Sequence, residues 1–142
     1  MPNNTPTSFP KRERLCSQRL IDSLFSQGHR LMVFPFSVRW MLCPAGQLPP
    51  EAPVQVLIAT SKRKFRHAVD RNRVKRLTRE CYRRQKAPLA GLLAASGSSL
   101  LLAVNYVHHD ILAYGTLYGK MEKLLAVLAD DIQRSLSHNN QV

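Results

Sequence analysis

In the stretch SQRLIDSLFSQG the apolar residues Leu20, Ile21, Leu24 and Phe25 fall on one side of a helix. Ser17 stands at its N-cap position, and Gly28 is placed to end it in a left-handed conformation. From Phe36 the period changes to two. Phe36, Val38, Trp40 and Leu42 point one way, and Ser37, Arg39 and Met41 the other, as on a strand with two unlike faces. Pro35 lacks an N–H and belongs at an edge or a bulge. VQVLIATS is β-branched and mostly apolar, a strand covered on both faces, and SLLLAVNYV reads the same way. Farther on, Leu117, Met121, Leu124, Leu128 and Ile132 repeat at steps of four, three, four and four. They mark a long amphipathic helix ending near Ser135.

The intervening stretches fix the order of elements. CPAGQLPPEAP is a loop, and APLAGLLAASGS is a connection that can hold a helical turn. The order is helix, strand, strand, basic helix, strand, helix, with a small further strand placed within residues 43–56. This predicts an α/β (α+β) sandwich: one mixed four-stranded sheet with about three helices, in the order α-β-β(-β)-α-β-α. One domain is expected over residues 11–136, with flexible tails at 1–10 and 137–142.

Charge changes the picture more than length does. The chain of 142 residues carries a formal net charge of +12, and its sequence pI is about 10.4. Residues 62–86 alone hold twelve Lys or Arg against Asp70 and Glu80. A nearly neutral body therefore bears one strongly basic element, and such an element calls for an anionic partner. Cys16, Cys43 and Cys81 show no zinc-ligand spacing, and an odd number does not suit a disulfide framework. A reducing, cytoplasmic setting is expected. MPNNTPTSFPKRER has no apolar segment of the kind a secretory signal needs, and PLAGLLAASGSSLLLAV is short for a membrane span.

Placed on a helical wheel at about 100° per residue with Arg71 at zero, Val74, Leu77 and Cys81 fall between about 240° and 300°. Arg71, Asn72, Lys75, Arg76, Arg79 and Arg83 fall between zero and about 140°. One side packs and the other presents cations. A merely solvated face mixes signs to form pairs four residues apart, and this one has few acids to offer. Arg outnumbers Lys, and its fork matches phosphate oxygens. The preceding SKRKFRH adds cations at the helix N-terminus, where free N–H groups already favour an anion. Membrane binding needs a broader apolar face than these three residues supply.

Here the residues meet a family. TSKRKFRHAVDRNRVKRLTRE resembles the signature of the bacterial ribonuclease P protein component, a Ser-Lys-Lys/Arg loop, an Ala-Val step, then Arg-Asn-Arg-Ile/Val-Lys-Arg on a helix. Ser61, Lys62, Arg63, Ala68, Val69, Arg71, Asn72, Arg73, Val74, Lys75 and Arg76 match it. The leading KRERL, the helix ending LFSQG and the Phe36 strand agree as well.

The resemblance implies the protein subunit of a ribonucleoprotein that removes the 5′ leader from precursor tRNA. It implies that the catalytic RNA subunit carries out the magnesium-dependent hydrolysis, so magnesium is expected with the RNA and not at a metal site in this chain. The partners implied are that RNA and precursor tRNA, with no membrane and no obligate protein partner. The implied RNA-binding residues are Lys62, Arg63, Lys64, Arg66, His67, Arg71, Asn72, Arg73, Lys75, Arg76, Arg79 and Arg83. A left-handed βαβ crossover is implied too, where general rules favour a right-handed one. The family also holds the leader in a groove between the first helix and the sheet. Phe25 and Phe36 fit its aromatic positions, with Ile21 and Arg39 where further aromatics are expected. Ring stacking tolerates any base. Both Phe residues have a second reading as core.

No catalytic residue is expected in the polypeptide. A metal nuclease needs clustered carboxylates, and the acids here are scattered. His67 suits a phosphate contact or a helix cap better than a general base, and His108 and His109 follow the last strand. The alternative is a structural RNA-binding module of ribosomal or assembly type.

Overall fold

The computed structural model describes residues 9–43, 47–49 and 52–139. Helix α1 spans Gln18–Gln27, and its first turn is capped by Ser17, whose Oγ accepts from the Leu20 N–H at 3.4 Å. Strand β1 spans His29–Val33 and β2 Phe36–Cys43, joined by a tight turn in which the Phe34–Pro35 peptide is cis. Strand β3 is Val54–Thr60, helix α2 Ala68–Gln85, helix α3 Ala87–Ser96, strand β4 Ser99–Tyr106 and helix α4 Tyr114–Asn139. A short 3₁₀ turn, Lys11–Glu13, precedes α1.

The sheet order is β1-β2-β4-β3; β1 pairs β2 and β2 pairs β4 antiparallel, whereas β3 pairs β4 parallel. The sheet is mixed and four-stranded, as expected. Among the described residues, however, the additional strand lies at His29–Val33, not within 43–56. Five residues show too little alternation to announce a strand; the hairpin with β2, which sets Met32 opposite Ser37 and Val33 opposite Phe36, makes it one.

The alternation of β2 divides two cores. Phe36, Val38 and Trp40 face the side covered by α2, α3 and α4, where they meet Val54, Val56, Leu100, Leu102, Val104 and the α4 stripe Leu117, Met121, Leu124, Leu128 and Ile132. The other face is covered only in part. There Leu20 and Leu24 of α1 pack with Leu15, Cys43, Leu48, Leu101 and Ala103.

Four further expectations are corrected. Residues 87–96 form a ten-residue helix, not a connection, because Ala and Leu are strong helix formers, a Pro sits in the first turn and Gly97 closes the end at φ 72°. Gly28 ends α1 with extended backbone, φ −72° and ψ 155°, not left-handed. Glycine is needed there for space, since a Cβ would collide with the Leu24 carbonyl and lie 3.2 Å from the Trp40 carbonyl oxygen. Helix α4 runs past Ser135 to Asn139, so it takes in 137–139. At the other end Phe9 packs edge-on against Tyr82 at 5.8 Å, placing Phe9 and Pro10 in the body. Residues 1–8 and 140–142 of the two expected tails lie outside the described residues, as do 44–46, 50 and 51 of the expected loop.

The Lys11–Glu13 turn is fixed to the α2–α3 junction. Glu13 pairs with Lys86, whose side chain is buried, and the Lys86 ammonium also lies 5.9 Å from the centre of the Phe9 ring. The Leu15 N–H donates to the Val56 carbonyl at 2.9 Å, so this segment shields the β3 edge.

Candidate nucleic-acid interface

Helix α2 seats itself through Val74, Thr78, Cys81 and Tyr82. This stripe is rotated from the one read on the wheel: Leu77 is only half-buried, and Thr78 and Tyr82 are inside. Thr78 can be buried because its hydroxyl donates to the Val74 carbonyl at 2.8 Å. Burial pushes the Cys81 thiol up to about 11, which keeps it protonated and unreactive.

The rotation carries Arg71 to the packing border. Its Nη1 donates to the carbonyl oxygens of Phe65 at 2.8 Å and Arg66 at 3.0 Å. Arg71 thus clamps the basic loop onto the helix as well as adding charge. The loop is shaped from within by Ser61, whose Oγ accepts from the Arg63 N–H at 2.9 Å while its carbonyl accepts from the Lys64 and Phe65 N–H groups. Phe65 anchors the loop in the core beside Tyr106, with ring centres 6.1 Å apart.

Around this frame the cations point outward. Lys62, Arg63, Lys64, Arg66, His67, Asn72, Arg73 and Arg76 are exposed, and Lys75 and Arg79 are half-exposed. Among the described residues, no carboxylate pairs with Lys62, Arg63, Lys64, Arg66, Arg73, Lys75, Arg76 or Arg79. Arg83 differs, because Glu80 binds both Arg83 and Arg84. Those hydrogen bonds, led by the one from Arg83, hold the Glu80 carboxyl down at about 2. His67 is at the N-cap but makes no capping hydrogen bond with its side chain, so the helix start keeps N–H groups that its N-cap side chain does not satisfy.

A second feature lies on the half-covered face of the sheet. Phe25, Ser37, Arg39, Ala59, Ser61 and Asn105 line a cleft of about 340 Å³ between the end of α1 and the strands. Phe25 is 46% exposed and forms one wall. Arg39 donates from Nη1 to the Phe25 carbonyl at 2.8 Å, and its guanidinium carbon lies 5.7 Å from the Phe25 ring centre. Arg30 stands directly opposite Arg39 across the β1–β2 pair. Two like charges facing each other cost stability in a strand pair, and a bound anion would relieve that cost.

Of the four residues expected in the groove, Phe25 and Arg39 meet there. Ile21 is half-buried on α1 and packs on the smaller core. Phe36 is corrected: it is fully buried on the opposite face, among the side chains beneath α2 and α4. The alternation that turns Arg39 toward the cleft turns Phe36 away from it. Ser37, Asn105 and Arg30 were not foreseen. Asn105 had a signal, being a polar residue inside an otherwise apolar strand, and its cross-strand partner in the cleft floor is Ser37.

The surface can bind phosphates and stack a base. Among the described residues no three His, Cys, Asp or Glu side chains gather to hold a metal ion. No helix there is long and apolar enough to cross a membrane.

Comparison with known proteins agrees with this geometry. The family model described as Ribonuclease P matches residues 9–125. The ribonuclease P protein components of two strains of Porphyromonas gingivalis are 32% and 33% identical over 137 residues, spanning 95% of this chain and 98% of theirs. That of Chlorobium phaeobacteroides is 36% identical over 105 residues, 70% of this chain and 72% of its own. Two structures of the Staphylococcus aureus RNase P protein share the fold. One has a TM-score of 0.59 at 20% identity over 82% of this chain and 94% of that one. The other has 0.55 at 19%, covering 86% and 93%. A four-stranded mixed sheet carrying an Arg-rich helix, matched over most of its length by these relatives, places this chain in the ribonuclease P protein component family.

Proposed function

We propose that this chain is the protein subunit of ribonuclease P, which binds the catalytic RNA through α2 and its loop and holds the 5′ leader of precursor tRNA in the cleft. The single observation that carries this is the pairing of two unlike surfaces on one sheet. A row of cations without carboxylate partners among the described residues suits folded RNA, where counterion release drives binding. The cleft with its half-exposed ring suits an unpaired strand, because every base has a face to stack.

In this reading the polypeptide binds and positions, and the RNA subunit performs the chemistry. Magnesium enters with the RNA. The cleft and α2 present cations where a resident magnesium ion needs oxygen donors, so the residues here do not fit one. Neutralising phosphates of both RNAs lowers the repulsion between them, which lessens the demand on divalent ions.

The test combines precursor tRNA, a bacterial ribonuclease P RNA and this protein at near-physiological salt. The protein is expected to lower the magnesium needed for leader removal and to tighten binding of precursor over mature tRNA. Binding to the RNA with neither effect would leave a structural RNA-binding module. Cleavage by the polypeptide alone would overturn both readings.

A further inference from the structure

Among the described residues the large apolar side chains left exposed are Phe25, Met32, Phe34 and Val69, and three of these four follow one track. Phe25 walls the cleft. Met32, 59% exposed, is the direct cross-strand partner of Ser37, so it shares the face that forms the cleft floor. Phe34, 52% exposed, follows two residues later in the β1–β2 turn, about 7 Å along the chain.

The end of β4 is held against that turn. The Val107 N–H donates to the Pro35 carbonyl at 2.9 Å, which brings the next residue beside Phe34. The His108 ring centre lies 5.0 Å from that of Phe34 at an interplanar angle of 58°, and His109 continues the row 4.8 Å beyond. Asp110 lies close by, with Oδ2 4.0 Å from Nε2 of His108 and 3.5 Å from Nε2 of His109. Phe34 takes no place in either core cluster. An exposed phenyl ring at a hairpin tip, flanked by flat polar rings, is a surface on which a nucleobase can stack.

We propose that Phe34, with His108 and His109, is a second stacking station for single-stranded RNA, taking a leader base after the strand has left the cleft over Met32. Met32, paired with Ser37 of the cleft floor and two residues before Phe34, links the station to the cleft, so the proposed occupant is the same unpaired strand. Arg30, exposed on the cleft side of β1, lies along the way for a phosphate. The proposal rests on the leader-binding reading of the cleft and extends it outward.

The test uses the full holoenzyme and precursor tRNAs whose leaders are shortened stepwise. Phe34→Ala is expected to weaken binding of the long-leader precursor roughly five- to thirty-fold. It should leave unchanged the affinity for a leader that fills only the cleft, for mature tRNA and for the RNA subunit. Phe34→Trp should restore the loss, and His108→Ala should give a smaller loss with the same dependence on leader length. Should Phe34→Ala fail to fold, as judged by circular dichroism, the other two variants carry the test. An equal loss at every leader length, or none on the long leader while the wild type still prefers precursor, would overturn the station alone. A wild type with no preference for precursor would overturn the cleft reading and the station with it.

Discussion

Arg39 and Phe25 are joined twice, by the 2.8 Å hydrogen bond from guanidinium to main-chain carbonyl and by the cation lying 5.7 Å from the ring centre. The arginine satisfies a carbonyl at the end of α1 and fixes the ring as the cleft wall. Phe25→Ala is therefore expected to leave the melting temperature close to wild type. It should lower precursor affinity about five-fold or more, with mature tRNA spared, in parallel titrations of the two RNAs.

Phe36→Ala should do the reverse. The ring is fully buried, edge-on to Tyr106 at 6.0 Å, and removing it leaves a cavity. A loss of about 3–5 kcal/mol is expected in urea unfolding. Among the molecules still folded, precursor affinity should be unchanged.

Arg71 and Arg73 stand two residues apart and should separate by salt dependence. Arg73 is exposed and pairs with no carboxylate among the described residues, so Arg73→Ala should preserve the fold and lower the slope of log affinity against log salt by about 0.7–0.9. Arg71→Ala frees the loop from its clamp on the Phe65 and Arg66 carbonyls. It should cost about 1.5 kcal/mol of stability, read by denaturant titration alongside the binding slope.

Glu80 ties up Arg83 and Arg84, and its folded carboxyl titrates at about 2 against an ordinary 4.5. A depressed folded value adds stability above the ordinary value, and that stability is lost as pH falls toward about 2. Glu80→Gln should flatten this part of the acid-unfolding curve. It should also tighten RNA binding and steepen its salt dependence, because a carboxylate that offsets the charge of the basic helix is removed.

Lys86 and Glu13 make the opposite kind of pair, one shielded from water. Glu13→Ala strands a buried ammonium and should cost about 3–5 kcal/mol, whereas Lys86→Met with Glu13→Leu should lie near wild type. Thermal melts of the two variants decide between them.

The sequence made the α4 stripe and the β2 alternation plain because Leu117 to Ile132 on α4 and Phe36 to Trp40 on β2 each bury one face. The cations of α2 were as plain, since Asp70 and Glu80 are too few to offset them. The seating of α2 was harder to see: Thr78 looks polar until its hydroxyl is spent on its own helix, and Tyr82 lies inside because Phe9 comes back to meet it. Helix α3 buries only Leu89 and Leu93 and is apolar nearly all round, so no period gave it away. For Phe36, alternation separated the two faces of β2 but could not say which face α1 would half-cover. That choice belongs to the packing of distant segments, as does the meeting of Ser37 and Asn105.

Asn105 and Tyr106 are consecutive, yet they serve different surfaces. Asn105 opens into the cleft floor, and Tyr106 reaches through to the Phe65 that roots the basic loop. One peptide link on a central strand thus sets the offset between the two grips. In the proposed function, RNA docked on the helix and a strand held in the cleft therefore meet at a spacing decided when the chain folds.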